Sequence, residues 1–145
     1  MYKFILEPVL NQRKSVEEIM QKELAVLKKL LVDEKKMLAV FKKAENNALK
    51  GLQQKKTKSI PVFDILLYVR FIEKLSRDIE KQEERVLDVE KRFDEKREDL
   101  IEAIKKRKVI EKLKEKSFKL YQQEITKKEQ DFMNEVAINQ FNRKV

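Results

Sequence analysis

Apolar positions recur along this chain with helical rather than alternating spacing. From Val9 they fall at Val16, Met20, Leu27, Leu30, Met37, Phe41, Ala44 and Ala48. The steps are 7, 4, 7, 3, 7, 4, 3 and 4 residues, all compatible with a heptad seam. Arg13, Glu23 and Glu34 fill the gaps, so charge interrupts this seam. A second seam is more regular: Ile65, Tyr68, Ile72, Leu75, Ile79, Gln82, Val86, Val89, Phe93, Lys96, Leu100 and Ala103. It alternates steps of 3 and 4 without a break and has two polar members, Gln82 and Lys96. Beyond Ala103 the frame drifts, because Ile104, Ile110 and Leu113 do not continue it. A looser stripe returns at Phe118, Tyr121, Ile125, Phe132 and Val136.

Few residues can stop a helix here. Pro8 suits a first helical turn, where its missing N–H is no loss. Gly51 weakens the first helix without ending it. Thr57-Lys58-Ser59-Ile60-Pro61 is the one plausible break, with Ser59 able to cap and Pro61 setting the start of a second helix. The pattern predicts an all-α antiparallel two-helix coiled-coil hairpin with a longer second helix. We expect a single coiled-coil domain over residues 1–145, with helix 1 at about 8–55, a turn at about 56–61 and helix 2 at about 61–142.

A turn centred near Lys58 places residue n opposite residue 116 − n. Phe41 then meets Leu75, Leu30 meets Val86, Leu27 meets Val89 and Val16 meets Leu100. Glu34 meets Gln82 in a shared polar layer, and Glu23 lies one layer from Lys96 and can pair with it. Polar layers of this kind lower stability and fix register. Helices of about 47 and 80 residues span roughly 70 and 120 Å, so residues beyond about Glu115 lack an intrachain partner. The stripe in that tail favours binding, since an isolated amphipathic helix is marginal in water. The plainer alternative is a frayed end.

Composition narrows the function. The 145 residues include 35 Lys plus Arg and 26 Asp plus Glu, a net charge of +9, with charged residues at 42% and apolar residues at 41%. That is too apolar for a disordered chain and has the profile of a long helix or coiled coil. There is no His, Cys or Trp, one Gly and two Pro. A thiol nucleophile, an imidazole base and thiolate or imidazole metal ligands are therefore excluded. One glycine cannot build a phosphate-cradling loop. Ser15, Ser59, Ser76 and Ser117 have no base to activate them. We expect no enzyme, no cofactor, no metal and no small-molecule substrate. The most apolar stretch, Ile60 to Val69, is ten residues long and contains Pro61 and Asp64, against about twenty for a spanning helix. Glu7 and Pro8 interrupt any signal-peptide run, so the expected location is cytoplasmic.

Three features rise above a generic coiled coil. Phe63, Leu67 and Phe71 recur every four residues off the seam near the turn. Either a partner covers them, or Leu49, Leu52 or Ile60 folds over them. Lys105-Lys106-Arg107-Lys108, followed by Lys112, Lys114 and Lys116, forms a basic block beside Lys3, Arg13 and Lys14 in the hairpin. Such a tip can meet an acidic protein, nucleic acid or an anionic membrane, or be a solvated face. Aromatics for base stacking are absent from it, which argues against nucleic acid. The third feature is the apolar N-terminal segment Tyr2 to Leu10, which can pack on Ile104, Ile110 and Leu113 and so explain the drift there.

The ends of the chain carry a family resemblance. Phe4-x-Leu6-x-x-Val9-Leu10-x-x-Arg13-x-x-x-Glu17-Glu18 resembles the opening of the FliJ family of flagellar type III export proteins. Lys96 to Ala103, with Lys106-x-Lys108-x-x-Glu111-Lys112-Leu113-Lys114-Glu115-Lys116, is similar to its C-terminal half. Glu129-Gln130-x-Phe132-Met133-Asn134-Glu135-x-Ala137 resembles its closing pattern, with Asn134 where an Asp is usual. The resemblance covers almost the full length. It implies a soluble coiled-coil adaptor, similar to the stalk of rotary ATPases, at the inner face of the cell membrane. The tip carrying both termini would engage the hexameric export ATPase and promote its assembly, through Arg13, Arg107, Lys108 and Leu113. The surface toward the bend would contact the membrane export gate around Tyr68, Phe71 and Leu75, and export chaperones are further partners. The alternatives are the equivalent stalk protein of a virulence type III secretion system, a basic nucleic-acid-binding coiled coil and a self-associating coiled coil.

Overall fold

The computed structural model describes residues 2–144. Two helices make up the fold, α1 (Glu7–Lys56) and α2 (Val62–Lys144), and there is no strand among the described residues. They pack against each other as an antiparallel hairpin whose second helix is the longer. The starts follow from local chemistry. The carbonyl of Leu6 accepts from the Leu10 N–H at 2.9 Å, and Pro8 sits in the first turn, where its missing donor leaves no bond unmade. At the other end of α1, the Thr57 hydroxyl donates to the Gln54 carbonyl at 2.7 Å and the Lys58 N–H donates to the Lys55 carbonyl at 3.1 Å. Both bonds satisfy acceptors that a helix end leaves open. Pro61 itself caps α2: its carbonyl accepts from the N–H groups of Asp64 and Ile65 at 3.1 and 3.4 Å. Ser59, the cap expected from sequence, lies exposed in the bend instead. Asp64 in the first turn of α2, and Lys55 and Lys56 in the last turn of α1, complement the helix dipoles.

The chain divides into two compact units. The middle unit is Met20–Asp99. Its core holds Ala48, Leu52, Leu75, Ile79, Val86 and Val89, with Gln82 as a buried polar member. Every α2 seam position expected here is buried or half-buried. The α1 seam is different. Leu24, Leu27, Leu31, Glu34, Leu38 and Phe41 are the sheltered positions, whereas Leu30 and Met37 are exposed. Strict alternation of steps of 3 and 4 selects Leu31 over Leu30 and Leu38 over Met37. The expected seam instead stepped by 3 from Leu27 to Leu30 and then by 7 to Met37. Glu34 and Gln82 do share a layer: the Gln82 amide donates to the Glu34 carbonyl at 2.9 Å and also to its carboxylate. Lys96 pairs with Glu23 as expected.

The second unit joins Met1–Ile19 with Leu100–Val145. Leu10 is its most deeply buried side chain, followed by Ala103. The drift expected after Ala103 does not occur. Sheltered positions continue at Arg107, Ile110, Lys114, Ser117 and Tyr121, still in steps of 3 and 4. Two of these are charged and so invisible to an apolar search, and each meets a carboxylate of α1. Arg107 pairs with Glu17, and Lys114 pairs with Glu7 at 2.8 Å. Packing also runs past Glu115. The Tyr2 ring lies edge-on to Phe118 at 5.3 Å between centroids and tilted against Tyr121 at 5.1 Å. The N-terminal segment thus reaches further along α2 than Ile104 and Ile110. Every residue from Gln122 to Lys144 is exposed.

Candidate partner-binding surfaces

Two groups of side chains bear on binding, one in each unit. In the middle unit, the first turns of α2 carry Phe63, Leu67, Tyr68, Phe71 and Leu75. Phe63 is 68% exposed, and Leu67 and Phe71 are exposed as well. Leu49 does not cover them, being exposed itself, and Leu52 is spent in the core. Tyr68 is half-buried against α1. A Cβ at position 51 would stand 3.4 Å from its ring, an ordinary contact, so the ring lies against α1 at Gly51. Lys55 covers the ring from α1, with its Nζ 4.6 Å from the centroid. Leu75 is a core residue at 6% exposure. The surface here is therefore made by Phe63, Leu67 and Phe71, with Tyr68 and Leu75 beneath it. Val62, Leu66 and Val69 are exposed too. Leu66 shares the outward side with Phe63 and Leu67, and Val62 and Val69 lie on one flank of the same helix.

Arg13, Arg107, Lys108 and Leu113 all belong to the second unit, but Lys108 and Leu113 fall on opposite flanks of α2. Arg13 is half-buried in the α1 seam, while Lys108 and Leu113 are exposed. Leu113 lines an open groove of about 760 Å³ with Tyr2, Ser117, Leu120 and Tyr121. Arg107 is held between two carboxylates, Glu17 across the hairpin and Glu111 at 2.8 Å one turn on. Its hydrogen bond to Glu17 first, and that to Glu111 second, raise its pKa above the ordinary guanidinium value. It stays charged at any working pH. Ion pairing tempers the basic block: Lys114 is bound to Glu7, and Lys105 lies 3.3 Å from Glu102. Lys106, Lys108, Lys112 and Lys116 present exposed positive charge. Among the described residues no cluster of carboxylates could hold a metal ion, and no helix is long and apolar enough to cross a membrane.

The family model Flagellar FliJ protein matches residues 2–145, essentially the whole chain. This chain belongs to the FliJ family. It is thereby a flagellar type III export component and takes part in protein transport, in a family whose role in the apparatus is not catalytic. No curated protein and no solved structure matched the chain.

Proposed function

We propose that this FliJ-family chain is an adaptor of the export machine, engaging the hexameric export ATPase with the unit that carries both chain ends. The observation that carries this reading is family membership over the whole chain. The exposed Lys108 and Leu113 beside a structural Arg107 fit it. A cation and an aliphatic side chain on a helix braced by ion pairs can meet an acidic, partly apolar ring without rearrangement. Arg107, paired with Glu17 and Glu111, braces α2 there, and Arg13 lies half-buried on α1. In the middle unit, Phe63, Leu67 and Phe71 are the proposed contact for the export gate and export chaperones, with Tyr68 and Leu75 supporting them from below. The adaptor would act peripherally at the inner face of the membrane.

Capture of the cognate export ATPase on the immobilised full chain tests this. We expect Lys108→Glu with Leu113→Ser to abolish capture, and Phe63→Ser with Leu67→Ser to leave it intact while removing capture of the gate's soluble domain. An ATPase that ignores the unaltered chain would refute the adaptor reading.

A further inference from the structure

The first turns of α2 are apolar on every side. Ile65, Tyr68 and Ile72 form the seam, yet Val62, Phe63, Leu66, Leu67, Val69 and Phe71 all remain exposed. At about 100° per residue, Val62 and Val69 fall on one flank, Leu66, Phe63 and Leu67 point outward and Phe71 lies on the other flank. A helix that is apolar all round is normally buried in something.

The charge around this surface is mainly positive. Residues 46–63 contain no Asp or Glu, but they include Lys50, Lys55, Lys56 and Lys58, and Arg70 follows on the outward face. Two acids lie within reach in sequence, Asp64, half-buried in the first turn, and Glu73, exposed three residues beyond Arg70. Elsewhere in the chain acids and bases are interspersed, as in the paired block at Lys105, Arg107 and Lys114. A positive rim calls for a negative partner surface. Phenylalanines and branched aliphatics rimmed by cations match the boundary between acyl chains and anionic headgroups.

We propose that the bend-proximal surface of α2, with Lys56, Lys58 and Arg70 at its rim and Phe63, Leu66 and Leu67 at its centre, docks on an anionic lipid bilayer. The segment lies on the membrane and does not cross it. This goes beyond the gate contact proposed above, which uses part of the same surface but a protein partner. A lipid contact would hold the hairpin at the membrane before any gate protein is met.

The chain has no tryptophan, so Phe63→Trp supplies a single emission reporter. The full-length variant is mixed with vesicles of phosphatidylcholine alone, or with phosphatidylglycerol added, and partitioning is measured by flotation. Emission should shift to the blue with the anionic vesicles only. Lys56→Gln, Lys58→Gln and Arg70→Gln together should weaken partitioning by about 100-fold, since each cation near an anionic surface contributes roughly fivefold. All three side chains are exposed, so helix content should be unchanged by circular dichroism. Neutralising Lys106, Lys112 and Lys116 should leave partitioning intact. The proposal is overturned if anionic and neutral vesicles bind alike or not at all, or if the second set of lysines carries the effect. It is also overturned if the blue shift appears without vesicles in a sedimenting dimer, which would mean that a second copy covers the surface. Capture of the gate's soluble domain without lipid reports on the gate reading separately.

Discussion

Gln82 is the one buried polar residue in the core of the middle unit, and its amide serves both the carbonyl and the carboxylate of Glu34. Gln82→Leu leaves that carboxylate without its donor, and should destabilise the hairpin by about 1–3 kcal/mol in urea unfolding. Changing both Glu34 and Gln82 to Leu should recover most of the loss, because no polar group is then stranded. The doubly altered chain should tolerate sliding of the helices, seen as disulfide crosslinking of engineered cysteines one layer out of register. Equal stability of single and double variants would show that the layer is not coupled. Arg107 works in the same way in the second unit. Arg107→Met strands Glu17, whose side chain is 12% exposed, so it should lower the melting temperature where Lys108→Met does not. Arg107 was legible as a cation and not as a seam residue, since the apolar residues around it, Ile104, Ile110 and Leu113, do not by themselves carry the 3-4 frame past Ala103. Tyr2 was legible as apolar, but its seat between Phe118 and Tyr121 depends on how far the N-terminal segment reaches.

At the scale of the helices, the repeat of 3 and 4 and the two prolines were enough to place both elements. Heptad seams and helix stops are local, and local signals survive in a single sequence. The choice between Leu30 and Leu31, or Met37 and Leu38, was not local. Both members of each pair are apolar, and the alternation of 3 and 4 separates them only when the charged Glu34 is admitted to the seam, which its contact with Gln82 on α2 shows. Gly51 gives a sharp test of α1. Its backbone is helical, and an added Cβ would lie at ordinary contact distance, 3.4 Å, from the Tyr68 ring. Gly51→Ala should therefore stabilise the hairpin by about 0.5–1 kcal/mol, while Gly51→Leu should destabilise it by displacing the ring. Urea titration distinguishes the two signs. The end of α2 behaves as an unpartnered element, exposed from Gln122 to Lys144. Its amides should exchange with solvent orders of magnitude faster than those around Leu75 to Val89. A chain ending at Tyr121 should keep the unfolding midpoint of the full chain, and a marked drop would show that the tail is packed.

The two proposed binding surfaces lie one in each unit. They were readable in the sequence only in part. Phe63, Leu67 and Phe71 stood out by spacing, and the structure leaves them open. The basic block looked stronger in sequence than it is in space, because Glu7, Glu17, Glu102 and Glu111 neutralise several of its cations. What a FliJ-family protein touches is a property of its partners as well as of its own surface. The most direct test of the adaptor account is therefore the hydrolysis rate and hexamer content of the cognate export ATPase, with and without this chain. The account predicts that the unaltered chain raises both, and that Lys108→Glu with Leu113→Ser does neither while keeping its fold. Equal turnover and equal hexamer content with and without the chain would contradict it.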